Sequence, residues 1–308
     1  MALLTEDARG VFVISVTPFH PDGSIDVESL DRVTDFYIEK GATGLTILGM
    51  MGEAPKLTQA ESRAVAERVI ARAGDLPLVV GVSAPGLAAI TELSAAVMDM
   101  GAAGVMIAPP GGLRTDAQIT GYYAQACAAA GDGVPVVVQD FPLATGVSMD
   151  VSVLNRIVAD LPQVVMLKHE DWPGLPKITA LRRAEAAGQR RISVLCGNGG
   201  IFLPEEMGRG ADGAMTGFAF PEMLRQVVDL CAAGDMDRAQ DIFDAYLPLV
   251  RYEQQPGAGL AVRKYVLAKR GAIASAALRH PGALPAPETV AEVERLLARL
   301  DTRLKELD

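Results

Sequence analysis

Met98-Asp99-Met100-Gly101-Ala102-Ala103-Gly104-Val105-Met106-Ile107-Ala108 joins the end of a helical pattern, a glycine return and a short apolar run. Glycine has no Cβ and enters the left-handed conformation that closes a helix, so Gly101 suits a C-cap and Gly104 the start of a new strand. The run that follows carries no alternating polar residues, the pattern of a parallel strand covered on both faces. The same punctuation recurs at Gly41-Ala42-Thr43-Gly44 and at Gly210-Ala211-Asp212-Gly213.

Outward from this stretch the beat repeats. Strand-like runs fall at 11–16, 44–48, 78–82, 104–108, 136–140, 164–168, 193–197 and 213–216, separated by helical patterns at 29–40, 59–73, 87–100, 116–130, 151–160, 176–187 and 202–210. Eight β/α units in about 220 residues favour a closed parallel barrel over an open doubly wound sheet. The expected fold is therefore α/β, a (β/α)8 TIM barrel. Beyond Pro221 the strand signal stops, and 222–233, 236–251, 258–270 and 289–307 read as helices. The expected organisation is a catalytic barrel over 1–222 and a helical carboxy-terminal region over 223–308.

Composition narrows the function classes. The net charge of -10 and a pI near 4.9, with no basic run, disfavour nucleic acid as a partner. No stretch has the length and apolarity of a membrane span, and the first residues include Glu6, Asp7 and Arg9, so a soluble cytoplasmic protein is expected. Cys127, Cys196 and Cys231 are far apart and odd in number, and His20, His169 and His280 are equally scattered. They read as buried reduced thiols and isolated imidazoles, with no metal site.

Chemistry in such a barrel belongs at the carboxyl ends of the strands. Lys168 closes the apolar run Val164-Val165-Met166-Leu167, and Glu170 follows two positions later. A buried lysine needs a partner or a task, and residues two apart on a strand share a face. An amine that condenses with a ketone, with an acid/base beside it, needs this arrangement. Other strand-end residues expected to converge on the same pocket are Thr17, Gly49, Met50, Met51, Gln139, Gly197, Asn198 and Thr216.

At these residues the chain resembles the dihydrodipicolinate synthase and N-acetylneuraminate lyase family of class I aldolases and dehydratases. The resemblance spans nearly the whole chain. It is carried by Val16-Thr17-Pro18-Phe19 with Asp22-Gly23 and Ile25-Asp26, and by the Gly49, Gly52 and Glu53 loop. Pro142 with Thr145-Gly146, Lys168, and the Gly197 loop followed by 213–221 complete it. The resemblance implies a barrel with a helical tail, Lys168 as the Schiff-base lysine, a small 2-oxo acid substrate, no cofactor and a homotetramer.

Departures from the family pattern point to a subclass. The two threonines usual between Gly49 and Gly52 are Met50 and Met51, leaving backbone N–H groups to bind a carboxylate. Gln139 replaces the proton-shuttling tyrosine of the fifth strand, and Ala108-Pro109-Pro110-Gly111-Gly112 replaces the tyrosine pair after the fourth. His169 occupies the slot where family members place a glutamate, and the carboxylate moves on to Glu170. This resembles the branch that dehydrates 2-keto-3-deoxy sugar acids, the 2-keto-3-deoxyarabonate dehydratases. A pyruvate-dependent aldolase is the alternative, because it uses the same iminium, and a non-catalytic 2-oxo-acid sensor is a second.

Weaker features have blander readings. Glu170 could serve only as the charge partner of Lys168. Glu53 is read as opening a helix or binding loop amides, Met50 and Met51 as pocket lining, and His169 as facing away from the pocket by strand alternation. Trp172 either roofs the site or is buried in the core. The Gly197-Asn198-Gly199-Gly200 loop suits either a phosphate cradle or a tight strand-to-helix turn.

Overall fold

The computed structural model describes residues 2–307. Eight strands, β1 (Gly10–Ile14), β2 (Gly44–Ile47), β3 (Leu78–Gly81), β4 (Gly104–Ile107), β5 (Val136–Asp140), β6 (Val164–His169), β7 (Ser193–Cys196) and β8 (Gly213–Thr216), form a closed barrel in sequence order. Every pairing is parallel, including the β1–β8 seam. At that seam Gly213 adopts φ 148°, and a β-carbon there would overlap the Gly10 carbonyl, so closure requires glycine.

Helices α1 (Val27–Glu39), α2 (Gln59–Ala73), α3 (Leu87–Asp99), α4 (Asp116–Ala130), the short α5 (Pro142–Thr145), α6 (Val151–Asp160), α7 (Leu175–Ala186), α8 (Leu203–Gly208) and α9 (Pro221–Ala233) surround the strands. Their starts have local causes. Asp26 caps α1 through the Ser29 amide, and Thr58 with Glu61 and Thr115 with Gln118 form capping boxes at α2 and α4. The expected (β/α)8 barrel is thus the observed one, with boundaries within a few residues. Sequence periodicity did not mark α5 or the 3-10 turns Met50–Gly52, Ala54–Lys56 and Asn198–Gly200, each too short to show a repeat.

Two apolar layers hold the barrel. Phe12, Ile14, Val79, Met106, Val137, Met166, Leu195 and Met215 fill the inside, and Leu4 from the amino-terminal segment joins them. A larger layer lies between strands and helices and includes Val11, Val13, Leu45, Val80, Val105, Val138, Leu167 and Val194. Each fully buried side chain of this kind contributes about 1.5–3 kcal/mol. The period of two sets the orientation of β6: Met166 points inward and Leu167 outward, so Lys168 points into the barrel mouth.

Helix α9 packs on β1 and α8, and α10 (Met236–Glu253) crosses α9 and α8. Helices α11 (Gly259–Lys269) and α12 (Pro287–Leu307) complete the tail. No helix among the described residues is long and apolar enough to cross a membrane. Cys127 and Cys196 are buried, Cys231 is half-buried, and all three are free thiols.

Candidate active site

Lys168 and Glu170 meet at the carboxyl end of β6. The strand ladder carries on past His169 because the Glu170 amide donates to the Asp140 carbonyl at 2.9 Å, so Glu170 keeps the face of Lys168. Glu170 Oε2 lies 2.9 Å from Lys168 Nζ, and both side chains are buried. Gln139, the direct neighbour of Lys168 on β5, donates its Nε2 amide to the same oxygen at 2.7 Å. A charged carboxylate held between an ammonium and an amide is a well-satisfied buried acid. The same contact gives a path for the proton: transfer from ammonium to carboxylate leaves a free amine beside a carboxylic acid.

The cavity over this pair is narrow, about 60 Å³, and is walled by Ile14, Met50, Met51, Phe141, Asn198 and Thr216. Met50 and Gln139 also wall an adjoining cavity of about 610 Å³, which leaves space for a chain extending from the lysine. The amides of Met50 and Met51 open a 3-10 turn and donate to no backbone carbonyl among the described residues. They remain free for an anionic oxygen.

The other expected site residues divide into lining and support. Met50, Met51, Gln139, Asn198 and Thr216 line the cavity, whereas Thr17, Gly49 and Gly197 do not. The Thr17 hydroxyl donates to the Gly52 carbonyl at 2.7 Å and so fixes the β2 loop. Gly49 lines the larger cavity. Gly197 stands behind Glu170, where a β-carbon would overlap the carboxylate side chain. Asn198 donates to the Glu170 carbonyl at 3.0 Å, and Thr216 Oγ1 accepts the Gly199 amide at 2.7 Å. With its amide shared between Thr216 Oγ1 and the Gln254 side chain, Gly199 belongs to a tight turn and not to a phosphate cradle.

Glu53 does open the 3-10 turn Ala54–Lys56, though its side chain does not cap it; the buried carboxylate has Lys264 Nζ at 2.6 Å and Lys56 Nζ at 2.7 Å, and the loop amide it accepts is that of Arg279, after α11, at 3.1 Å. It ties the β2 loop to the tail. Trp172 neither roofs the cavity nor enters the core; it is 45% exposed and meets Phe202 edge-on at 5.8 Å on a separate surface.

His169 does face away. Its Nε2 lies 3.1 Å from the Gly174 carbonyl, and burial, with nearby Lys177, pushes its pKa down to about 4. Beside it, burial pushes Asp140 up to about 6 despite Lys177 Nζ at 2.7 Å. Lys177 also binds Asp171 at 2.6 Å, so this outward cluster anchors the loop that follows β6.

Sequence reasoning missed Gln254 and Arg263, both on the cavity wall and both from the tail. Oriented to satisfy both its amide atoms, Gln254 donates to the Asn198 carbonyl and accepts from the Gly199 amide, each at 3.2 Å. Arg263 stands four residues before the buried Leu267 on α11, and that helical spacing was the available signal for it.

The chain is similar to known proteins over nearly its whole length. The family model described as the dihydrodipicolinate synthetase family matches residues 7–300. An L-2-keto-3-deoxyarabonate dehydratase of Azospirillum brasilense is 32% identical over 95% of this chain and 94% of its own. A 4-hydroxy-tetrahydrodipicolinate synthase of Sorangium cellulosum is also 32% identical, over 96% of each chain. A crystal structure titled dihydrodipicolinate synthase, from Rhodopseudomonas palustris, superposes with a TM-score of 0.96 at 57% identity, covering 97% of this chain and all of that one.

Proposed function

The chain belongs to the dihydrodipicolinate synthetase family, and we propose that within it the protein is a Schiff-base-forming hydro-lyase acting on a 2-keto-3-deoxy sugar acid. The favoured reaction converts L-2-keto-3-deoxyarabonate to 2-oxoglutarate semialdehyde. The observation that carries this reading is the Lys168–Glu170–Gln139 contact set. It puts a carboxylic acid, with no phenol, at hydrogen-bond distance from the amine.

Neutral Lys168 attacks the C2 ketone, water leaves, and the iminium acidifies C3. Glu170, holding the proton gained from Lys168, gives it up as the carbinolamine dehydrates and then removes a C3 proton to form the enamine. The enamine expels the C4 hydroxyl as water, with Glu170 returning the proton. A proton shift from C5 to C3 turns the unsaturated product into the C5 enol and then the aldehyde, and hydrolysis frees the lysine. Gln139 holds Glu170 in place, and the Met50 and Met51 amides receive the C1 carboxylate. A homotetramer belongs to the same reading, on the strength of the family resemblance, and so does cytoplasmic localisation, on the composition of the chain.

Synthase activity is a second reading, favoured by the names of the Sorangium and Rhodopseudomonas proteins. Gln139 weighs against it, because an amide does not relay a proton as a phenol does. Incubation with 2-keto-3-deoxyarabonate separates the possibilities. Semialdehyde supports the dehydratase, pyruvate with glycolaldehyde would establish an aldolase, and turnover only of pyruvate with aspartate semialdehyde would establish the synthase.

A further inference from the structure

We propose that Arg263 is a carboxylate-binding residue of the catalytic cavity, a role that rests on the keto-acid reading of that cavity. Arg263 is 2% exposed, yet it reaches the cavity wall from α11. Its Nε donates to Glu253 Oε2 at 2.8 Å. Its Nη1 is buried and has no partner among the described residues. Buried guanidinium N–H groups are normally paired, because an unmet charged donor is costly.

The path to the cavity is opened by a missing side chain. Gly217 follows β8, and a β-carbon there would stand 2.5 Å from Arg263 Nη1. On its far side Glu253 is itself anchored, Oε1 accepting the Ala219 amide at 3.4 Å. The carboxylate thus holds the guanidinium at Nε, while Nη1 lies unpaired against Gly217, itself on the wall of the cavity that Lys168 and Arg263 line. A planar fork with a fixed free edge recognises a carboxylate better than an ammonium would. The ligand group is therefore a carboxylate of the 2-oxo acid: that at C1, shared with the Met50 and Met51 amides as the favoured substrate requires, or the distal one of a dicarboxylic 2-oxo acid.

The test uses R263K and the double variant R263M/E253Q, which leaves no buried charge alone, with folding checked by thermal unfolding. Half-saturating concentrations for borohydride trapping at Lys168 are measured with pyruvate and with 2-oxoglutarate. Calorimetric Kd values are measured with 2-hydroxyglutarate, which has both carboxylates but no ketone. A rise of about 10- to 100-fold is expected in the double variant, and a smaller one in R263K. A rise for pyruvate assigns the C1 carboxylate, and a rise for 2-oxoglutarate alone assigns the distal one. If the double variant does not fold, R263K decides. Unchanged values for all three probes in folded protein would overturn the proposal. Wild-type protein that traps no keto acid yet binds 2-hydroxyglutarate through Arg263 would sink the functional reading and leave this one standing.

Discussion

Gly197 and Glu170 compete for one space: a β-carbon on Gly197 would overlap Cγ of Glu170, so the carboxylate reaches Lys168 only because residue 197 has no side chain. Gly197→Ala should therefore displace Glu170 without touching substrate. Overpacking of this kind costs about 1–3 kcal/mol, and turnover should fall about 100-fold or more, as for loss of a general acid/base. Steady-state rates beside a thermal melt check this. A folded variant with normal rates would show that Glu170 is free to move.

Glu170→Gln should lower turnover by about 10²–10⁴-fold while still allowing pyruvate to be trapped on Lys168. An amide keeps the hydrogen bond from the amine but moves no proton. Rates near wild type would reduce Glu170 to a charge partner of the lysine.

The Glu53–Lys264 pair joins residues on β2's loop and α11 at 2.6 Å, with both side chains buried. Burial pulls the Lys264 pKa down while Glu53 opposes it. Glu53→Gln should leave the lysine charge poorly matched and cost about 3–5 kcal/mol, seen as a Tm lowered by several degrees. An unchanged Tm would mean that the tail is not held through this contact.

Stability should fall as pH rises from about 4.5 to about 8. Burial raises Glu206 from the ordinary 4.5 to about 8. Within that window the folded chain keeps a proton that the unfolded chain has released, so each rise in pH favours unfolding. Above 8 the loss is complete, on the order of a few kcal/mol. Glu206→Gln should flatten this slope in denaturant titrations at several pH values; a variant with the wild-type slope would assign it elsewhere. His169 and Asp140, with pKa values near 4 and 6, act in opposite senses at lower pH and largely offset one another.

The barrel was legible because parallel strands covered on both faces leave apolar runs, and because Gly41, Gly101 and Gly210 mark the returns. The Lys168–Glu170 pair was legible for the same reason: a period of two places both on one face. Glu53 and Lys264 are 211 residues apart, and a pairing made by the fold leaves no periodic trace. Thr17 looked like a binding hydroxyl, but local sequence does not reveal that the Gly52 carbonyl claims it. Trp172 shows how a lone aromatic signals apolar surface without saying which surface.

Condensation of Lys168 with a 2-oxo acid is read out by borohydride added with pyruvate, followed by peptide mass analysis. A stable pyruvate-derived mass increment is expected on Lys168, absent when either reagent is omitted and lost in Lys168→Ala. Folded protein with no increment at Lys168, or with one at another lysine, would rule out Lys168 as the Schiff-base lysine.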